Sequence, residues 1–315
     1  MLRKLVFVLA AALMATACGG GAAAGEVTLT LGDQVKTLET LLDASKALDG
    51  APFEYKWAQF QGAAPLFEAV KAGSVDTAVA ADLPTLQAQA GGVPVKSVAA
   101  VRNSGVSTVL LVQPDSAVHQ VADLKGKDVV VSSAKGSIAE YLLVKALQEA
   151  GLSYSDVHVR YLLPTDAQAA FSGHKIDVWA TFGVYGIKAL QDGASKISDG
   201  TNGRTSGVSL ISAATNSLND QRKRTAINEF LKRVNQAYQW GSTHRAEYVS
   251  AVQRENRVDE QVAAALVDQG YAKLEAVSAE IQASLQQVSD TMSSVGALTA
   301  RVDVASITDS GEYEG

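Results

Sequence analysis

Short β-branched runs alternate with amphipathic stretches along most of this 315-residue chain, and that alternation admits few folds. Strands that are each followed by a helix-forming stretch build a mainly parallel sheet flanked by helices. Strands are predicted at residues 27–31, 53–60, 75–81, 95–101 and 108–112, and again at 128–132, 157–162, 176–181 and 207–213. Gly32-Asp33-Gln34 is read as the turn after the first of them, leading into a helix. From residue 219 onward the chain reads as almost all helix, over 220–241, 244–255, 259–271 and 278–295. Ala139, Leu142, Leu143, Ala146, Leu147 and Ala150 share one face of a helix over 137–150, which must pack on a sheet. Ser137 and Glu140 fit a capping box at its start. A loose echo links Lys71-Ala72-Gly73-Ser74-Val75-Asp76 to Phe171-Ser172-Gly173-His174-Lys175-Ile176-Asp177. Each is a helix end, a Gly turn and a strand that begins apolar-Asp, as two similar α/β lobes would produce.

Composition removes several function classes. Apolar residues make up 47% of the chain, enough for a large core, so intrinsic disorder is excluded. A formal charge of −6 argues against a nucleic-acid binder, which needs a basic face. The single cysteine rules out a disulfide framework and a multi-cysteine metal site. His119, His158, His174 and His244 form no ligand pair at helical spacing, so no metal is expected. GxSxG, HExxH and the Walker pattern are all absent. That favours a binding protein without a cofactor over an enzyme.

The N-terminus accounts for the cysteine. Arg3 and Lys4 precede an apolar run that ends Ala15-Thr16-Ala17-Cys18-Gly19. Residues 1–17 read as a signal peptide, and small residues before a Cys resemble the lipobox of bacterial lipoproteins. Cys18 is then acylated. The alternative is an ordinary signal peptide cut after Ala17. Residues 18–26 form a Gly/Ala tether. The expected location is extracytoplasmic, held to the membrane by the acyl group, since the acidic chain gains nothing from anionic lipid.

In open parallel sheets, ligands bind beyond the carboxyl ends of the strands, where helix N-termini present unpaired amides. Small or polar residues mark Gly32-Asp33-Gln34, Ala81-Asp82-Leu83-Pro84, Ser132-Ser133-Ala134-Lys135-Gly136-Ser137 and Thr181-Phe182-Gly183. At any one of these the residues need only let the chain turn. Together, two per lobe, they outline a cleft. The 132–137 loop is the best cradle for an anion. Arg102 and Arg204 stand beside Asn and Gly in loops; each is either a bidentate oxyanion partner or a solvated surface cation. Trp57, Phe60, Trp179, Phe182 and Tyr185 are candidates for an apolar wall, although aromatics on strands are usually core.

The segments Ala69-Val70-Lys71-Ala72-Gly73-Ser74-Val75-Asp76, Ala81-Asp82-Leu83-Pro84, Val121-Ala122-Asp123-Leu124-Lys125-Gly126-Lys127 and Gly136-Ser137-Ile138-Ala139-Glu140-Tyr141 resemble the solute-binding proteins of ABC importers for aliphatic sulfonates, taurine and nitrate. The resemblance continues to Asp177-Val178-Trp179-Ala180 and covers nearly all of residues 27–300. It implies a two-lobed periplasmic-binding-protein type II fold, with a ligand cleft between the lobes. Lobe 1 would be 27–110 with 209–315 and lobe 2 would be 111–208, joined by crossing strands near 109–113 and 207–212. It further implies a monomer that passes a small anion to an importer permease. The family's ligand residues map onto Gln34, Asp82, Gly136, Ser137 and Trp179. Two departures stand out: Ala180-Thr181-Phe182 follows the Trp where an acidic or second aromatic residue is common, and Leu83 replaces a small polar residue. A desulfinase on the same fold uses a cleft Cys that this chain lacks. The expected ligand is an alkyl or aryl sulfonate, seated at Gly136 and Ser137 with its carbon tail by Trp179 and Phe182, and with Arg102 or Arg204 adding charge. Nitrate, taurine, a pyrimidine thiamine precursor, a secreted enzyme and a sensor are the alternatives.

Overall fold

The structure, a computed structural model, describes residues 27–269, 273–309, 311 and 313. The signal segment, Cys18 and the tether lie outside the described residues. The strands are β1 (Thr28–Gln34), β2 (Glu54–Phe60), β3 (Thr77–Ala81), β4 (Val95–Arg102), β5 (Thr108–Val112), β6 (Asp128–Ser132), β7 (His158–Leu162), β8 (Val178–Phe182), β9 (Ser195–Asp199), β10 (Val208–Ala214) and β11 (Lys273–Glu275). They form one sheet in the order β11-β4-β10-β3-β1-β2 and a second in the order β7-β6-β8-β5-β9.

The two sheets share one plan. In the first, β1 to β4 run one way, with β10 and β11 against them. In the second, β6 to β9 run one way, with β5 against them. Each sheet is therefore mainly parallel, and its reversed inner strand is the first one laid down after the chain crosses over. β5 enters the second sheet straight after β4, and β10 returns to the first straight after β9. The crossings themselves occupy residues 103–107 and 200–207. The expected lobe boundaries at 110/111 and 208/209 instead cut into β5 and β10, which pair as whole strands within their sheets. The sequence echo marks the starts of β3 and β8, which hold equivalent places in the two sheets.

The two crossings touch through their backbones. A Cβ on Gly105 would lie 2.5 Å from the Gly200 carbonyl oxygen, and one on Gly200 would lie 2.5 Å from the Gly105 oxygen. Only glycine lets two chains approach this closely.

Helices cover both sheets. Helix Ile138–Glu149 buries Ala139, Leu142, Leu143 and Leu147 against Leu110, Val129, Val131 and Val178, the face expected from its spacing. Its other side sends Tyr141 and Val144 into a cluster with Leu83, Leu86 and Leu210 of the first lobe. Helix Gln221–Thr243 buries Ile227, Phe230, Leu231 and Val234 over Leu29, Leu31 and Ile211. Side chains of this size each contribute about 1.5–3 kcal/mol when fully buried.

Two strands were not expected. β9 carries a single large apolar residue, Ile197, and lies at a sheet edge, so it has no alternating pattern to read. β11 is three residues long and pairs only with β4. β1 also runs three residues further than its apolar pattern suggests, because Gly32, Asp33 and Gln34 stay paired to Ala58, Gln59 and Phe60. The turn falls at Val35 and Lys36 instead, both left-handed, with φ of 49° and 58°.

Candidate functional site

A cavity of about 520 Å³ lies between the two sheets, at the carboxyl ends of their central strands. Its walls come from the junctions after β1, β3, β6 and β8, the four picked out by their small and polar residues. Gln34, Ala81, Gly136, Ser137, Phe182 and Gly183 all line it.

The helices that start around this cavity are capped in different ways. Helix Thr37–Ser45 is sealed by Asp33, whose carboxylate accepts the amides of Leu38 and Glu39, both at 2.9 Å, and that of Gln34 at 2.7 Å. Asp33 is 1% exposed, and burial pushes its carboxyl up to about 6 against the pull of those amides. Helix Asp82–Ala90 is closed by its own first residue. Asp82 accepts the Leu83 amide at 2.6 Å and the Ser206 hydroxyl. It too is pushed up to about 6 by burial.

Helix Ile138–Glu149 is capped by Ser137, whose hydroxyl accepts the Glu140 amide at 3.3 Å. This leaves the serine proton to donate. The first amides of a helix have no partner within it, and those of Ile138 and Ala139 are not claimed by the cap. The return half of the expected box is shifted by one residue: the Glu140 carboxylate accepts the amide of Gly136 rather than that of Ser137. Glu140 also accepts the hydroxyls of Tyr154 at 2.5 Å and Tyr161 at 2.7 Å. Gly136 needs its lack of side chain twice over. Its φ is 81°, and a Cβ there would lie 2.6 Å from Gln87 Cγ of the other lobe. Helices Ala63–Lys71 and Gly183–Gln191 also begin at the cavity and carry no side-chain cap.

The expected ligand residues divide into two groups. Gln34, Gly136, Ser137 and Phe182 line the cavity. Gln34 Nε2 donates to the Val79 carbonyl at 2.8 Å, which fixes its amide in place. The Gly136 amide is taken by Glu140, so the donors left at this loop are the Ser137 hydroxyl and the amides after it.

Asp82, Arg102, Trp179 and Arg204 lie elsewhere. Asp82 is fully buried beneath the wall and ties its helix to the second crossing through Ser206. Arg102 pairs with Glu275 at 3.2 Å and Glu280 at 3.3 Å on the outer edge of the first sheet. Arg204 pairs with Glu149 at 2.6 Å. Trp179 is 0% exposed, donates to Ser132 Oγ at 2.9 Å and packs on Phe171, with ring centroids 5.3 Å apart. It belongs to the core of the second lobe, as aromatics on central strands usually do. Trp57, Phe60 and Tyr185 also pack into hydrophobic clusters and are not among the residues that line the cavity.

The structure adds wall residues that local sequence did not show. Tyr238, Tyr248, Val252 and Leu266 reach the cavity from helices of the C-terminal third, and Phe67 and Ile138 complete its apolar surface. Burial and the nearby Asp33 push the Tyr248 hydroxyl up to about 12 and the Tyr238 hydroxyl higher still, so both remain protonated donors. Lys36, Lys71 and Lys135 are the lysines in the wall. Among the described residues there is no cluster of metal-ligating side chains, and no helix is long and apolar enough to cross a membrane.

Comparison with known proteins places this architecture. The NMT1/THI5-like family model matches residues 59–247. The chain belongs to the NMT1/THI5-like family. Within the curated proteins, this NMT1/THI5-like chain is 29% identical over 250 residues to an aliphatic sulfonates-binding protein of Escherichia coli, covering 79% of this chain and 77% of the relative. A Bacillus subtilis protein of the same name is 26% identical, over 98% of this chain and 95% of its own length. Among solved structures, the alkanesulfonate-binding protein SsuA of Xanthomonas axonopodis, bound to MOPS, superposes with a TM-score of 0.84 at 26% identity. That match covers 90% of this chain and 98% of the other. The two-lobed periplasmic-binding-protein fold expected from the sequence is therefore the fold of this chain.

Proposed function

We propose that this protein is an extracytoplasmic solute-binding protein that delivers a small organosulfonate to the permease of an ABC importer. The observation that carries this reading is the opening of helix Ile138–Glu149 into the interlobe cavity, with the Ser137 hydroxyl and the next amides left to donate. A sulfonate stays ionised, so its seat needs donors and no proton acceptor. Aligned amides supply those donors without a buried counter-charge. The apolar surface of Phe67, Ile138, Phe182 and Leu266 suits a carbon tail, which favours an alkyl or aryl sulfonate over nitrate. The names of the relatives support the same ligand class. Among the described residues, nothing in the cavity wall forms a nucleophile and base pair, and Cys18 is the chain's only cysteine, so binding is favoured over turnover.

A thermal-shift and calorimetric panel of alkanesulfonates, taurine, nitrate and pyrimidines tests the ligand. Specific binding raises stability by RT ln(1 + [L]/Kd). Stabilisation by sulfonates is the expected result; stabilisation by nitrate or pyrimidines alone would overturn it. The same reading makes the protein a monomer tethered by acylated Cys18. Cys18→Ser is expected to release it or leave it unprocessed, with the fold unchanged. Recovery of that variant in membranes at mature length would refute the anchor.

A further inference from the structure

Among the described residues, the buried charged side chains are Asp33, Asp76, Asp82 and Glu140; no Lys or Arg is buried. Asp76 has a cation, Lys223, at 2.6 Å. The other three are held by neutral donors: amides and the Gln59 side chain for Asp33, an amide and a hydroxyl for Asp82, an amide and two tyrosine hydroxyls for Glu140. Glu140 is the only one of the three whose donors include two side-chain hydroxyls.

These three also share a location. Asp33 lines the cavity, Asp82 lies behind Ala81 and Pro84 of its wall, and Glu140 holds Gly136 next to Ser137. Each sits at the start of a helix, where its negative charge offsets the half-unit of positive potential the helix end supplies. The lysines of the wall do not restore it: Lys71 and Lys135 are exposed, and Lys36 is half-exposed beside Glu255 at 3.5 Å. The cavity thus offers oriented donors with little net positive potential. A singly charged oxyanion is served by the donors. A second charge on the same group meets no buried cation and faces the three carboxylates at low dielectric.

Building on the anion-binding reading above, we propose that Glu140, assisted by Asp33 and Asp82, sets the charge of the ligand: the cavity takes singly charged oxyanions and rejects doubly charged ones of the same shape. Glu140 acts through the loop it holds and through its field, as a specificity-determining residue that does not touch the ligand.

Butanesulfonate and butylphosphonate test this, because they share a tail and a tetrahedral head. Calorimetry on the full chain is run at about pH 9, above the second ionisation of an alkylphosphonate, so that most of it carries two charges. The wild type is expected to bind the sulfonate at least about tenfold more tightly. E140Q keeps an oxygen acceptor for Tyr154 and Tyr161, and is expected to narrow the gap on the order of tenfold. D33N should narrow it in the same direction, and with the wild-type ratio it decides the matter if E140Q does not fold. Equal affinities in the wild type, or a ratio that neither variant moves, would overturn the charge filter while leaving sulfonate binding intact. Failure of the wild type to bind either compound would overturn the anion-binding reading and the filter with it.

Discussion

Strands β1 and β6, each next to the parallel edge strand of its sheet, hold equivalent positions and end in opposite ways. At the end of β1, Asp33 turns inward and takes the amides that open the next helix. At the end of β6, the chain makes a loop with Ser133 and Gly136 in left-handed conformations before Ser137 caps the helix with a hydroxyl. The equivalent strands β3 and β8 differ as well. Helix Asp82–Ala90 after β3 is closed by a carboxylate, and helix Gly183–Gln191 after β8 has no side-chain cap. A carboxylate cap satisfies the helix and occupies the position an anion would take. A hydroxyl cap, or none, leaves donors for something else. At these equivalent junctions one topology thus yields sealed helices in the first lobe and receptive ones in the second, with helix Ala63–Lys71 of the first lobe the uncapped exception, and the choice rests on a few residues at strand ends.

Replacing Trp179 separates core from wall in the second lobe. Trp179→Ala is expected to lower unfolding free energy by about 3–5 kcal/mol in chemical denaturation, while Trp179→Phe keeps ligand affinity. A large affinity loss in the Phe variant would return the residue to the wall. Ser137→Ala tests the receptive cap directly, with an expected cost of about 1–3 kcal/mol in ligand binding by calorimetry. An unaffected Kd would show that the hydroxyl serves only the helix.

At the sealed helices the signature is pH dependence. The folded-state pKa of Asp82 is raised from 3.8 to about 6. Its stabilising contribution is therefore full below its unfolded pKa and is lost as pH rises through about 6. Asp82→Asn should flatten the change in Tm measured on either side of that value, and an unaltered slope would contradict the burial argument. The smallest effect belongs to Arg102. Arg102→Ala is expected to leave ligand affinity unchanged and to cost no more than about 1 kcal/mol of stability, because its ion pairs are exposed.

Much of this was readable from local pattern. The alternation of strand and helix, the buried face of Ile138–Glu149 and the four junctions around the cavity follow from spacing and turn chemistry alone. The echo at Asp76 and Asp177 correctly pointed to equivalent strands. What escaped depends on partners distant in sequence. Arg102 reads as a loop cation until Glu275 and Glu280 are brought beside it by β11, a strand too short to announce itself. Asp82 reads as a junction residue until Ser206 closes over it. Tyr238 and Tyr248 sit in helices whose spacing shows an apolar stripe, and nothing local distinguishes a residue facing a core from one facing a cavity.

The contact between Gly105 and Gly200 limits how the molecule can work as a machine. Two backbones pressed together act as a bearing: the lobes can twist about this point, but they cannot draw apart there. Any widening of the cleft must grow with distance from the bearing, so it would be felt more at the contact of Thr165 with Gln61, 3.0 Å apart beyond the opposite edge strands, than at the crossings. A side chain placed at either glycine would work as a wedge, holding the gap ajar at the end where the molecule has no slack.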